Sequence, residues 1–198
     1  MVTNADAGSW PGRIVAVDVQ LGAACEIGPY CVLGVDPAVG APLRIGDGAV
    51  IRSHTVIYRD TVIGEGFRAG HGALVREATV VGDRVSIGSH SVVEHHVVLG
   101  NDVRLHSNCF VPEWSVLEAG AWLGPGVVVT NARYPNRPDT KDNLEGVHLG
   151  AGATVGAGAV LLPGIRIGPG ALVGAGAVVV HDVPAGARIV GNPGRLLE

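Results

Sequence analysis

The chain has 198 residues and a net charge of −4 at neutral pH, without a run of lysine or arginine. This charge pattern argues against a nucleic-acid partner. Aromatic residues make up only 4% of the chain, whereas glycine occurs 31 times. Such a composition is poor for a globular core, but it suits narrow coils with tight corners.

The beginning of the sequence, MVTNADAGSWPG, has no basic stretch followed by an apolar run, so no signal peptide is predicted. The longest nearly uncharged stretch, residues 167–180, is too short and too rich in glycine and proline for a membrane-spanning helix. From these two features we expect a cytoplasmic protein that does not enter a membrane.

A six-residue repeat is the dominant pattern of the sequence. It begins loosely at Val15 with VAVDVQ, LGAACE and IGPYCV, and residues 45–128 divide into hexads without a gap. The first position is Ile, Leu or Val in every hexad of that stretch except the one opening at Ala69, and the second position is most often Gly. A short fixed period of this kind predicts an all-β solenoid, here a single domain over residues 1–198.

Two segments interrupt the repeat and are predicted to be loops. The first covers residues 34–44. The second covers residues 131–148 and is polar, charged and rich in proline. Because the repeat resumes at Leu149, we expect one long mid-solenoid loop, and a loop of this length in a compact fold favours a functional role.

In such solenoids three hexads form one triangular coil, so the hexads divide among three faces, with adjacent coils about 4.8 Å apart. The face that includes the hexads opening at residues 63, 81 and 99 has the composition of an ordinary solvated surface. Another face carries four histidines. The remaining face has no Gly at the second position, and its third positions form a column of Arg59, Glu77, His95, Glu113 and Asn131.

This column has two interpretations. The lower residues, from Arg59 to Glu94, are expected to form an ion-pair ladder on a subunit interface. Glu113 and Asn131 adjoin the long loop and are expected to meet a ligand.

Cys25, Cys31 and Cys109 each occupy the fifth position of a hexad, where other hexads have Ala, Ser, Thr or Val. They are therefore predicted to be small buried side chains rather than disulfide partners or metal ligands.

The hexad array, the interrupting loop and the ending VVHDVPAGARIVGNPGRLL resemble the left-handed β-helix hexapeptide-repeat acyltransferases. The run LHSNCFVPEWSVLEAGAWLGPGVVVTNARYP is similar to the branch that acetylates amino groups of nucleotide-linked sugars, except that Asn136 follows the proline where Arg is common. This resemblance implies a left-handed parallel β-helix and a homotrimer with active sites between subunits. It also implies acetyl-CoA as cosubstrate, coenzyme A along the intersubunit cleft, a small-molecule acceptor and no metal.

Within this framework the sequence offers three candidate catalytic residues. His106 replaces the expected Gly of its hexad just below the loop, and a neutral imidazole can take a proton from an incoming amine or hydroxyl. Glu113 could orient His106 across a subunit interface or hold a substrate ammonium group. Asn108 could bind the acceptor or the acyl oxygen. His106 could equally be a structural interface residue.

Residues near the loop and the C-terminus are candidates for binding. The candidates for the acceptor are Asn131, Tyr134, Trp114, His95 and Arg137. The candidates for coenzyme A are Trp122, Gly156, Ala175, Asn192, Pro193 and Arg195.

The sequence leaves three alternatives open. O-acetylation of a sugar or small alcohol would use the same fold. A γ-carbonic anhydrase-like metal enzyme would use the eight histidines, although His54 and His90 lie two coils apart. A non-catalytic binding or assembly protein would use the smooth glycine-rich faces.

Overall fold

The computed structural model describes residues 12, 14–16, 18–35 and 40–197. It consists of short strands joined by tight turns. One short 3-10 helix, Thr140–Asn143, lies in the long loop. In chain order the strands are β1 Ile14–Val15, β2 Gln20–Leu21, β3 Glu26–Ile27, β4 Val32–Val35, β5 Arg44–Ile45, β6 Val50–Ile51, β7 Val56–Tyr58, β8 Val62–Ile63, β9 Arg68–Ala69, β10 Leu74–Val75, β11 Val80–Val81, β12 Ser86–Ile87, β13 Val92–Val93, β14 Val98–Leu99, β15 Arg104–Leu105, β16 Phe110–Val111, β17 Val116–Leu117, β18 Trp122–Leu123, β19 Val128–Val129, β20 His148–Leu149, β21 Thr154–Val155, β22 Val160–Leu161, β23 Arg166–Ile167, β24 Leu172–Val173, β25 Val178–Val179, β26 Arg188–Val190 and β27 Arg195–Leu196.

The strands form three sheets, one for each side of the coil. Sheet A contains every third strand from β1 to β25, and sheet B contains every third strand from β2 to β23. Sheet C contains every third strand from β3 to β24, followed by β26 and β27. Neighbouring strands are parallel, as in the pairing of Leu74 with Val92, except for the antiparallel pair β26 and β27. The prediction of a left-handed parallel β-helix with one long mid-solenoid loop is confirmed.

The stacking of the coils explains the hexad pattern. Side chains at the first and fifth positions, such as Ile87 and Val85, point into the core and are fully buried. At the second position a Cβ on Gly88 would overlap the backbone of His106 and Ser107 in the next coil, so glycine is favoured there. Cys31 and Cys109 are buried in this core, as predicted, whereas Cys25 is only partly buried and packs against it.

The first interruption of the repeat is shorter than predicted, and the second has the predicted length but begins one residue earlier. Strand β4 extends to Val35 and strand β5 begins at Arg44. The residues at both ends of the expected 34–44 loop therefore belong to paired strands. Residues 36–39 of that loop lie outside the described residues. Strand β20 begins at His148, so the second loop occupies residues 130–147.

The outer surfaces of the three sheets differ in polarity. Sheet B exposes a row of valines, Val62, Val80 and Val98, each 43–50% exposed, which differs from the ordinary solvated surface expected for this face. Sheet A also has an apolar outer row, which includes the exposed Phe110 and Val128. Sheet C has a more polar row. Among the described residues no helix has the length and apolar character needed to cross a membrane.

Candidate active site

The corner at which each coil passes from sheet A to sheet B carries the densest group of polar side chains, and it is called the A–B corner below. One coil carries His95 and His96 in its turn. The next coil carries Glu113 and Trp114 at the equivalent positions of the same corner. His96 and Trp114 have positive φ values of 57° and 67°, which directs them outward. The long loop begins at this corner with Asn131.

A carboxylate links three coils at the A–B corner. Glu113 Oε1 lies 2.7 Å from His95 Nε2, and the Asn131 side-chain amide donates to Glu113 Oε2 at 2.9 Å. The side chains of His95 and Glu113 are only 24% and 22% exposed, so water screens this pair incompletely. Both carboxylate oxygens are thus engaged, which fixes the orientation of Glu113.

The opposite side of the His95 ring faces His96. The Nδ1 atoms of the two rings lie 2.6 Å apart, and the His96 ring stacks on Trp114 with 4.4 Å between ring centroids. Because the carboxylate of Glu113 accepts a hydrogen bond, we assign a proton to His95 Nε2. A neutral His95 then has its lone pair on Nδ1, the atom best placed to accept a proton.

The lower coils of the same corner are occupied by fixed charges. Arg76 binds Glu77 at 2.7 Å and Glu94 at 3.0 Å, and its guanidinium lies 5.5 Å from the centre of the Tyr58 ring. Burial alone would raise the pKa of Glu77, but hydrogen bonds from its own backbone and from Arg76 lower that pKa overall. Arg59 is paired with Asp18. The predicted ion-pair ladder is therefore present in the lower coils.

The long loop returns to the corner where it began. The Glu145 amide donates to the Asn131 carbonyl at 2.8 Å, which closes the base of the loop. A Cβ on Gly146 would overlap the backbone carbonyl of Trp114, so only glycine fits where the loop packs on this coil. The position of the loop is thus tied to two residues of the A–B corner.

The residues of the long loop form a separate cavity of about 260 Å³. Tyr134 and Arg137 line it, and the Arg137 guanidinium lies 4.7 Å from the centre of the Tyr134 ring. Thr140 holds this turn, because its hydroxyl accepts from the Arg137 amide and donates to the Tyr134 carbonyl. The predicted binding residues Tyr134 and Arg137 therefore belong to one structured element.

The structure separates the other two predicted catalytic residues from this corner. His106 is exposed on sheet C and meets Trp122 edge to face, with 4.8 Å between centroids. Asn108 lies at the corner between sheets C and A with a φ of 60°. Within one chain the partner of Glu113 is His95, whereas the sequence analysis joined Glu113 to His106 across an interface.

The predicted coenzyme A residues other than Trp122, which lies in β18 beside His106, are found towards the C-terminal end of the solenoid. Gly156 follows β21, and Ala175 follows β24 in the next coil, where the two backbones are in close contact. Asn192 and Pro193 form the cis-proline turn between β26 and β27, and Arg195 begins β27.

His96 is a residue of this corner that the sequence analysis did not include in the acyltransferase site. Its signal was available, because it occupies the fourth position of its hexad, where the backbone has positive φ and where many other hexads have Gly. A histidine at such a position presents its ring to solvent. In the part of the chain that the structure describes, no three His, Cys, Asp or Glu residues are grouped so that they could hold a metal ion.

Solved structures with this fold include several acyltransferases. The maltose O-acetyltransferase from Clostridium difficile 630 is 24% identical, with a TM-score of 0.53, over 60% of this chain and 67% of that protein. A UDP-N-acetylglucosamine acyltransferase from Bacteroides fragilis 9343 is 16% identical, with a TM-score of 0.57, over 96% of this chain and 74% of that protein. The corresponding enzyme from Francisella novicida is 17% identical, with a TM-score of 0.54, over 94% and 68%. At these identities the likeness shows the fold alone.

Sequence profiles of protein families give a closer assignment. A comparison with curated proteins finds no match. The profile described as bacterial transferase hexapeptide (six repeats) matches residues 146–181 and confirms the hexapeptide-repeat resemblance. The profile described as GMPPB C-terminal domain matches residues 12–121, which is more than half of the chain. The chain therefore belongs to the GMPPB C-terminal domain family and has the hexapeptide-repeat β-helix that acyltransferases also use.

Proposed function

We propose that this protein is an acyl-CoA-dependent acyltransferase that moves an acetyl group from acetyl-CoA to an amino group of a sugar or nucleotide-linked sugar. The observation that carries the proposal is the pairing of His95 with Glu113 at 2.7 Å, beside a structured loop. An imidazole oriented by a carboxylate is an arrangement that supports general base catalysis.

The reaction needs one proton to move between two substrates. His95 Nδ1 accepts the N–H proton of the acceptor amine as its nitrogen forms a bond to the thioester carbonyl carbon. When the C–S bond breaks, the imidazolium returns that proton to the departing sulfur, so amide and free coenzyme A are formed. Glu113 acts as a positioning residue, because it fixes the tautomer of His95 and stabilises the imidazolium. The amine replaces His96 as the partner of His95 Nδ1.

The polarity of the corner favours an amine over an alcohol as acceptor. Glu113 is paired with a histidine and an amide, and no Arg or Lys in the described part of the chain neutralises it. A cationic amino group is therefore attracted to the corner before it loses a proton. The exposed ring of Trp114 offers a flat apolar surface on which a sugar can pack. Tyr134 and Arg137 lie in the loop that begins beside Asn131.

A homotrimer would complete this site. Sheets A and B meet at the A–B corner, and both expose apolar rows, including Val80 on sheet B and Phe110 on sheet A. Exposed apolar rows of this kind favour association with another copy. A neighbouring copy could then bring Trp122, Gly156 or Ala175 to the corner as part of a coenzyme A cleft, with Asn192, Pro193 and Arg195 near its far end.

The direct test is a thiol-release assay with acetyl-CoA and a panel of amino sugars, the same sugars linked to nucleotides, and matched sugars with hydroxyl groups only. The proposal predicts turnover with at least one amino acceptor. Turnover with hydroxyl acceptors alone would replace it by O-acetylation. If no acceptor is acetylated and coenzyme A does not protect the protein against thermal unfolding, the protein is a binding or assembly module instead.

A further inference from the structure

A trough on the outer surface of sheet C gathers three arginines without a carboxylate partner. Arg52, Arg68 and Arg104 line a cavity of about 180 Å³ together with His106. All four side chains are exposed, and none of the residues that line the trough is Asp or Glu. In the described chain Arg52, Arg68 and Arg104 form no salt bridge.

Three other arginines of the described chain are neutralised by carboxylates. Arg59 pairs with Asp18, Arg76 pairs with Glu77, and Arg84 pairs with Asp102 through two hydrogen bonds of 2.8 Å. The trough therefore gathers three positive charges in a protein whose net charge is −4. Their mutual repulsion is relieved when an anion binds between them.

The shape of the trough follows from the hexad columns. Arg52 and His106 occupy the same second-position column, and Gly70 and Gly88 stand between them. The two glycines leave an open floor that is two coils long, or roughly 10 Å between the coils of Arg68 and Arg104 at the strand spacing. Ser86 and Ser107 add hydroxyl donors along this floor. One orthophosphate cannot reach every donor of such a floor, but two linked phosphoryl groups span more of it.

We propose that this trough binds a diphosphate-bearing ligand, with Arg52, Arg68 and Arg104 as its anion contacts. The guanidinium fork matches phosphoryl oxygens in two-point contacts. His106 then closes one end of the trough as a binding residue. Nucleoside diphosphates and coenzyme A both contain a diphosphate, and the trough is defined by that shared group. The inference does not require the acyltransferase function.

The test is isothermal titration of the full chain with inorganic pyrophosphate at low ionic strength. The wild type is expected to bind pyrophosphate saturably and more tightly than orthophosphate. Arg68→Ala and Arg104→Ala should each weaken binding by about tenfold or more, because each removes a charge-assisted contact. Arg104→Lys should lie between the wild type and Arg104→Ala, because it keeps the charge and loses the fork.

Arg188→Ala is the matched control. Arg188 is also exposed on sheet C and carries the same charge, but it lies outside the trough. If Arg188→Ala and Arg104→Ala weakened pyrophosphate binding equally, the effect would be one of net charge and the proposal would be wrong. The absence of saturable binding to the wild type would also overturn it. Circular dichroism checks that each variant is folded.

Competition then identifies the source of the diphosphate. GDP, UDP and coenzyme A are each titrated against bound pyrophosphate, and Arg68→Ala is measured beside the wild type. A ligand that uses the trough displaces pyrophosphate and loses affinity in the variant. If every one of them binds equally well to Arg68→Ala, the trough is not their diphosphate site and the proposal fails for both sources.

Discussion

The lower and upper coils of the A–B corner use neighbouring hexad positions for opposite purposes. In the lower coils Arg76 holds Glu77 and Glu94 in contacts of 2.7 and 3.0 Å, so permanent charges neutralise each other. In the upper coils His95 takes the place of the arginine as the partner of a carboxylate, at 2.7 Å from Glu113. The shortest contacts are equally long, but only the upper pair contains an imidazole, which has both a donor and an acceptor nitrogen.

The difference shows how a repeat can carry both structure and chemistry. An arginine stays charged at every physiological pH, so the lower coils can stabilise the solenoid but cannot accept a proton. A histidine at the neighbouring hexad position forms a weaker structural contact and gains an accessible lone pair. The long loop begins at the upper coils and adds Asn131 to the carboxylate. The lower coils have only the shorter interruption between β4 and β5 at this corner.

The largest expected effect comes from removing the histidine of the upper coils. His95→Ala should lower kcat/KM for the acetyl acceptor by about 100-fold or more, because the positioned base is lost. Steady-state thiol release measures this, with binding of coenzyme A as the check that the site is intact. His90→Asn is the control, since His90 is exposed at another corner and asparagine tolerates its φ of 57°. If His95→Ala were as active as His90→Asn, the upper coils would have no catalytic role that distinguishes them from the lower coils.

A smaller effect is expected from the contact between the long loop and the upper coils. Gly146→Ala forces a Cβ into the backbone carbonyl of Trp114 and should cost about 2–3 kcal/mol of unfolding free energy. Urea denaturation followed by tryptophan fluorescence measures this cost. Gly126→Asn is the matched variant, because Gly126 has a φ of 69° and open space around its Cβ position. Equal stability of the two variants would show that the loop does not press on the corner.

The smallest effect is expected from the lower coils. Arg76→Gln should reduce the unfolding free energy by about 1 kcal/mol near neutral pH, since it leaves two carboxylates without their cation. Because Arg76 lowers the pKa of Glu77, the stabilisation is present above the ordinary pKa of a glutamate and is lost as pH falls through the lowered pKa in the folded state. The difference between wild type and variant should therefore shrink in acid. Urea titrations across this pH range measure it, and turnover should stay within a few-fold of the wild type. A gap that widens in acid would contradict this assignment.

The architecture could be predicted from the sequence because every coil repeats the same constraint. Ile, Leu or Val at the first position of a hexad and Gly at the second are required by core packing and by coil contact, as Gly88 shows. The column that joins His95, Glu113 and Asn131 also follows from the period alone. The sequence alone therefore predicts that these three members of the A–B corner lie together.

The partners within the corner could not be predicted in the same way. Glu113 can reach the coil below or a neighbouring subunit, and only side-chain conformations decide that it contacts His95 rather than His106. The role of His96 depends on the positive φ that turns its ring outward. The hexad pattern predicts a positive φ where glycine usually occupies this position, but it does not by itself predict the same φ for a histidine. The trough on sheet C arises from two glycines that are common to the repeat, so its significance depends on the arginines around them.

The central claim is that Glu113 acts through His95, and a double-mutant cycle of turnover tests it most directly. kcat/KM is measured for the wild type, His95→Ala, Glu113→Gln and the double variant. The account predicts that Glu113→Gln lowers kcat/KM by about tenfold in the wild type and has almost no further effect once His95 is absent. Independent effects that multiply in the double variant would contradict the pair as one catalytic unit.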